Sequence, residues 1–532
     1  MRAVQRKVFP GGAGQTVEPQ ITAPDRSGPA PGTPASGVVT DLTARVNAVE
    51  SQLSTLTGQI ESEAQHHFDK WSRWSIQPDF VASARNLAAY LALRHHDLRK
   101  LQRGLIVHGL SSLGRAESRV MPALAAVRAA LVAMDGGGWT PAPNMADFHA
   151  GEDRLEQRAR RLFGPRAPQR HVALMVTCPT EAADDPAFLR EMARRGVEAI
   201  RINCAHDDAD AWLRMIRHAH AAGAEFGRPI KVFVDLAGPK IRTGKIQVRH
   251  GSKRVHTDDR LAMVAAGGLK RHFAADIAVA FECTLADAIG AVLPEQRLVI
   301  DDGKIALAID TVEDEVVTAT VTRCHEDGVK LKPEKGINLP DTDLDIPALT
   351  DKDCEDLAVI AHHADGIEFS FVQRPDDVLM FQDALAAIRP DDWQRLPLVL
   401  KIETARAIRA LPDILVCAGA RQPVAIMIAR GDLAVEIGFP RMAEMQEEIM
   451  WIAEAAQVPV IWATQVLEQM VKEGLPTRGE LTDAAMGARA EAIMLNKGPY
   501  LVQAIDTLDQ LLGRMEDHLH KKSPSMRSLK SW

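Results

Sequence analysis

From residue 171 onward, short β-rich runs alternate with amphipathic helical stretches, and this rhythm limits the fold more than any other feature. The runs are VALMVT (172–177), EAIRIN (198–203), IKVFVD (230–235), GIEFS (366–370), LVLKIE (398–403), VAIMIA (424–429), VPVIWAT (458–464) and EAIMLN (491–496). These eight runs, most followed by a helical pattern, predict an α/β chain with a closed (β/α)8 TIM barrel over roughly 170–515. A doubly wound open sheet is the alternative, but no G-x-G-x-x-G follows any of these strands. The chain has 532 residues, 46% hydrophobic and 25% charged, so it can bury a sizeable core.

About 130 residues separate the third and fourth runs, far more than a βα connection needs. The gap contains QRLVIDDGKIALAIDTVEDEVVTATVTR, which alternates apolar and polar residues between turn signals. This predicts a small β-domain inserted at 245–335, between barrel segments 170–244 and 336–515. Leaving the barrel at a strand's C-terminal end, it would sit over the site as a lid.

Ahead of the barrel, residues 1–37 are rich in Gly, Pro, Ala and Thr and read as a disordered tail. A helical extension is expected over 38–165. In it Leu42, Val46, Val49, Leu53, Leu56 and Ile60 follow heptad spacing. The spacing suits either a helix packing on its own domain or a short coiled coil that joins two copies; the first reading is preferred. His95, His96 and His108 have no partner at metal-ligand spacing. GLSSLGR marks a turn, DGGGWTPAPN (135–144) a linker, and 516–532 a basic tail.

A net charge of −8 argues against nucleic acid as the main partner. Cys178, Cys204, Cys283, Cys324, Cys354 and Cys417 are scattered without C-x-x-C spacing, which fits thiols in a reducing compartment. No apolar run reaches the ~20 residues of a membrane span, and no apolar signal segment begins the chain. A cytoplasmic protein is the expectation.

Polar residues gather where the predicted strands end: Arg201 and Asn203 on the second, Asp235 on the third, Lys401 and Glu403 on the fifth, Asp432 after the sixth, and Thr464 on the seventh. Residues two apart share a strand face, so Arg201 pairs with Asn203 and Lys401 with Glu403. Glu403 and Asp432, on neighbouring strands, can share a hard cation such as Mg2+ or Mn2+. Lys401 and Arg201 add positive charge for an anionic substrate, a set suited to phosphoryl transfer. ARGDLAVE reads as a loop entering a helix at Gly431–Asp432, where backbone N–H groups would meet a carboxylate. One K-x-E pair alone would more often be a surface ion pair, but several strands ending this way reverse that judgement.

These residues resemble the pyruvate kinase family over about 172–515: RINCAH, DLAGPKIRTG, IDDGKIAL, KGINLPDTDLDIPALTDKD, FSFV, KIE, ARGDLAVE, ATQVLEQM and PTRGELTDAA occur in order. The resemblance implies phosphoenolpyruvate and ADP/ATP as ligands, with pyruvate and ATP as products. It makes Lys401 the stabiliser of the transferring phosphoryl group and the enolate, and Glu403 and Asp432 the metal ligands. Gly431, Asp432 and Thr464 fall at the substrate carboxylate and Arg201 at its phosphate. Asn203, His206, Arg242 and Lys335 fall where the family contacts nucleotide.

The sequence departs from the family at several positions. Ala205 stands where a potassium-ligating Ser is usual, and Lys240 where many members have Glu. With Leu236, these resemble the potassium-independent branch, in which a tethered ammonium supplies the monovalent charge. The turns TCPTE (177–181) and MLNKG (494–498) also differ from the family pattern. The family's C-terminal effector domain is expected to be missing, with the N-terminal helices offering a different route to any homo-oligomer. Two other readings stay open: a metal-dependent lyase or aldolase acting through a pyruvate enolate, and a phosphoenolpyruvate- or nucleotide-binding scaffold.

Overall fold

The computed structural model describes residues 36–249, 253–344, 346–516, 518–521 and 523–524. The predicted disordered tail, up to residue 35, and most of the predicted basic tail lie outside the described residues.

Eight parallel strands close into a barrel in chain order: β1 (Ala173–Thr177), β2 (Ala199–Asn203), β3 (Lys231–Asp235), β4 (Gly366–Phe369), β5 (Leu398–Ile402), β6 (Val424–Ala429), β7 (Val460–Ala463) and β8 (Ala492–Leu495). Their period of two sorts the side chains. Leu174, Val176, Ile200, Ile202, Leu398 and Leu400 face outward into the layer of surrounding helices. Ala173, Met175, Phe233, Val399, Met427 and Met494 face inward and form a separate core. On β2, β3 and β5 the same inward face continues toward the C-terminal end as Arg201, Asp235 and Lys401. Register brings these ends level, pairing Asn203 with Asp235 and Asp235 with Glu368.

Five helices precede the barrel: α1 (Ser36–Trp71), α2 (Pro78–His95), α3 (Arg99–Val107), α4 (Val120–Met134) and α5 (Met145–Phe163). The heptad seam of α1 is spent inside the chain, since Val46, Leu53, Leu56 and Ile60 are buried in the core shared with α2, α4 and the barrel's outer layer. The preferred sequence reading, a helix packed on its own domain, describes this arrangement.

The last turns of α5 close the barrel floor. Leu162 and Phe163 belong to the interior core, and the Phe163 ring lies 5.9 Å from that of Phe233. Small neighbours make room for these rings. A Cβ at Gly366 would stand 2.6 Å from the Phe233 ring.

Between β3 and β4 lies a seven-stranded sheet with its own core, including Leu261, Phe281, Ile300 and Val317. Its outgoing strand Thr243–Val248 and returning strand Ile337–Asn338 flank the hinge, where Arg242 bridges to Gly336 through the backbone. The barrel with inserted β-domain and N-terminal helices is the architecture the strand rhythm predicted.

Candidate active site

Above the apolar layer, the barrel interior holds a polar one. Lys401 Nζ stands 3.1 Å from Asp235 Oδ1, 3.1 Å from Glu403 Oε1 and 2.8 Å from Ser370 Oγ. Arg201 donates through Nε to Asp235 at 3.0 Å and to Glu368 at 3.2 Å, through Nη2 to Asp235, and through Nη1 to Thr177 Oγ1 at 3.3 Å. Ser370 donates to Asp235 Oδ1 at 3.0 Å and to the Leu236 carbonyl at 2.7 Å. Two cations and three carboxyl groups thus share one buried space, where each charge depends on its partners.

The titration shifts follow from that crowding. Burial opposes the charge on Asp235, but Lys401 and Arg201 outweigh it and hold the carboxyl below its usual range. Burial also opposes the charge on Lys401, yet Asp235 and Glu403 raise its pKa, so it stays an ammonium. Glu368 behaves differently. Burial and the neighbouring Asp235 push it up to about 8, and its Oε1 has no hydrogen-bond partner. Its surroundings therefore favour the protonated form.

Glu403 accepts the Phe371 N–H through Oε2 at 2.6 Å. Burial and the charge of Asp432 raise its pKa despite Lys401. A cation between the two side chains would relieve the repulsion that Asp432 exerts on Glu403, so this pair fits a divalent metal. No cluster of three or more His, Cys, Asp or Glu suited to a metal occurs among the described residues. Substrate oxygens and waters would complete the shell, the habit of Mg2+.

Lys240 lies against this pair, its Nζ 2.7 Å from Asp432 Oδ1. Asp432, one of the two carboxylates that could hold a metal, is therefore already paired with an ammonium.

Thr464 follows β7 with φ of +60°, unusual for a β-branched residue, and Gln465 follows at +55°. The turn is held by Arg430, which donates to the Ala463 carbonyl at 2.9 Å and the Thr464 carbonyl at 2.7 Å while stacking 4.4 Å from the Trp462 ring centre. Thr464 Oγ1 accepts the Gly431 N–H at 2.8 Å, which joins the ends of β6 and β7. The helix Arg430–Ile437 starts here, as ARGDLAVE suggested.

The four residues assigned to nucleotide divide into two groups. Asn203 and His206 line a cavity of about 180 Å3 with Thr177, Cys178, Asn496 and Lys497. Both departing turns, TCPTE and MLNKG, therefore border one space. Arg242 and Lys335 lie at the hinge instead, Arg242 donating to the Glu334 carbonyl at 3.1 Å and Lys335 pairing with Asp301 at 3.0 Å.

Glu368, Ser370 and Arg430 were not singled out in the sequence. The signal for the first two was the period of two in GIEFS, where 366, 368 and 370 share a face and a Glu interrupts a barrel strand. Arg430 had no such signal, because its role depends on the turn after β7.

Comparison with known proteins points the same way. The family model described as pyruvate kinase, barrel domain, matches residues 169–505. A pyruvate kinase of Mycobacterium tuberculosis is 30% identical over 347 residues, covering 64% of this chain and 69% of that one. One from Agrobacterium vitis is 33% identical over 354 residues, covering 65% and 70%. One from Geobacillus stearothermophilus is 31% identical over 364 residues, covering 66% and 58%. The helices α1–α5 precede the matched segment, while the barrel, the inserted sheet and the polar layer fall within it, and by that match this chain belongs to the pyruvate kinase family.

Proposed function

We propose that this protein is a metal-dependent, potassium-independent pyruvate kinase that transfers the phosphoryl group of phosphoenolpyruvate to ADP. The observation that carries this reading is Lys401, a buried ammonium held between Asp235 and Glu403 with the Arg201 guanidinium on the same aspartate. Such fixed positive charge, in place before reaction, stabilises charge that develops during transfer.

In this reading Arg201 grips the phosphate of phosphoenolpyruvate. Lys401 neutralises the transferring group and the enolate oxygen left when the phosphorus–oxygen bond breaks. A terminal phosphate oxygen of ADP forms the new bond. Thr464, Gly431 and Asp432 orient the substrate carboxylate. Glu403 and Asp432 hold Mg2+ or Mn2+, which when bound polarises phosphoryl oxygens. Asn203 and His206 meet the nucleotide in their cavity, and Arg242 and Lys335 meet it from the hinge as the lid closes. Lys240, already on Asp432, supplies the monovalent positive charge.

A binding scaffold is the second reading, favoured by the departing turns around Asn203 and His206. The lyase reading has no support beyond the shared metal pair. We propose a cytoplasmic location; no described helix is long and apolar enough to cross a membrane.

The deciding assay is pyruvate formation from phosphoenolpyruvate and ADP with Mg2+, comparing K+ with Na+ or Tris. Equal turnover in all three supports both parts of the reading. No turnover with phosphoenolpyruvate still bound would replace it with the scaffold. Lys401→Met should abolish turnover while leaving Mn2+ binding, followed by its paramagnetic resonance, largely intact.

A further inference from the structure

At the floor of the barrel, opposite the polar layer, a cavity of about 420 Å3 opens between α2, α5 and the start of β6. That volume lies within the usual range for small-molecule sites. Arg154, Arg158 and Arg161 of α5 line it from one helical face, being four and three residues apart. Asp79 is the one carboxylate of the lining. Three guanidiniums against one carboxylate leave two positive charges in a chain whose formal net charge is −8.

The three arginines are not equally engaged. Arg158 is structural: it donates to Ser83 Oγ at 2.9 Å and to the carbonyls of Asp79, Ala456 and Gln457 at 2.9, 3.2 and 2.9 Å. With the described residues Arg154 makes one hydrogen bond, from Nε to Gln457 Oε1 at 3.3 Å. Arg161 is exposed and makes no hydrogen bond or ion pair with a described residue. Burial, together with repulsion from Arg154 and Arg161, pushes Arg158 down to about 10 although Asp79 opposes this. Burial likewise lowers Arg154. The cluster is thus held at a cost that a bound anion would remove. The exposed carboxamides of Gln157 and Gln394 stand at the same cavity with hydrogen-bonding capacity for the remainder of a ligand.

We propose that this cavity is a binding site for a compact, multiply charged anion, engaged by Arg154 and Arg161 and distinct from the active site. Phosphate esters and polycarboxylates share this chemistry. The site joins the helices outside the family match to the barrel floor, because Leu162 lines the cavity and also packs in the barrel interior.

The test is calorimetric titration of the full chain with pyrophosphate and, separately, with citrate. Both probes are run on the wild type, Arg154→Gln/Arg161→Gln, Arg161→Gln alone and Lys401→Met. The expected result is saturable binding of at least one probe, weakened about tenfold or more by the double change and less by the single one, since each lost bond is charge-assisted. Lys401→Met should leave that binding intact, which separates it from phosphate held in the active site. Pyrophosphate alone binding marks a phosphate site, and citrate alone a carboxylate site; either supports the proposal. Absence of saturable binding, binding unchanged in both arginine variants, or loss in Lys401→Met would overturn it. Arg161→Gln keeps the test decisive if the double variant folds poorly, because Arg161 has no bond to lose.

Discussion

At the scale of single residues, charge balance organises the site. Asp235 is shared by Arg201, Lys401 and Ser370, and Glu403 by Lys401 and the Phe371 N–H. Glu368 is the carboxyl left over, touching Arg201 through one oxygen while the other has no partner. With two cations for three acids, it is the member least compensated by positive charge. Its pKa of about 8 compares with an ordinary 4.5, so between these values the folded chain holds a proton that the unfolded chain has released. Stability from this group is fully present below 4.5 and is lost as pH rises to about 8. Glu368→Gln keeps the shape and removes the titration. Denaturant unfolding from pH 5 to 9 should show the variant gaining on the wild type up to about pH 8 and then running parallel. A constant difference across that range would mean Glu368 is already ionised in the fold.

At the scale of elements, the barrel strands do two jobs with one face. Their inward residues pack as apolar layers near the floor and turn polar toward the C-terminal ends. The floor is completed by α5, which inserts Phe163 against Phe233 beneath the site. Phe163→Ala would leave a cavity there, with an expected loss of about 3–5 kcal/mol in denaturant unfolding. A loss under about 1 kcal/mol would show that the helix covers the floor without supporting it. The turn after β7 depends on another element, since Arg430, from the start of the neighbouring helix, braces the left-handed Thr464.

At the scale of the whole molecule, three parts meet: the N-terminal helices, the barrel and the inserted sheet. The N-terminal helices share a core with the barrel's outer layer, which explains why the heptad spacing of α1 is used within the chain. The inserted sheet returns to the barrel past Gly336, whose added Cβ would stand 3.0 Å from the Lys240 side chain. Lys240 in turn pairs with Asp432, so one charge joins the junction of the inserted sheet to a carboxylate proposed to hold metal. Replacing Lys240→Glu together with Ala205→Ser should therefore create a potassium requirement, read as turnover that rises with K+ and not with Na+. Continued indifference to K+ would assign Lys240 to bracing the hinge alone.

The barrel, the inserted β-domain and the strand ends that carry Arg201, Asp235, Lys401 and Glu403 are legible in the amino-acid order alone. Those features are written in periods, two for a strand and three to four for a helix, and a period survives without knowledge of neighbours. Tertiary structure decided which charges meet. Glu368 became the least compensated acid because Asp235, 133 positions earlier in the chain, faces it across the register of β3 and β4. Arg430 became a brace because the turn after β7 folds back over it. Three arginines spaced four and three apart came to line one cavity because α5 docks on the barrel floor. Each outcome is a matter of distance between residues far apart in sequence, and distance sets both desolvation and Coulomb energy.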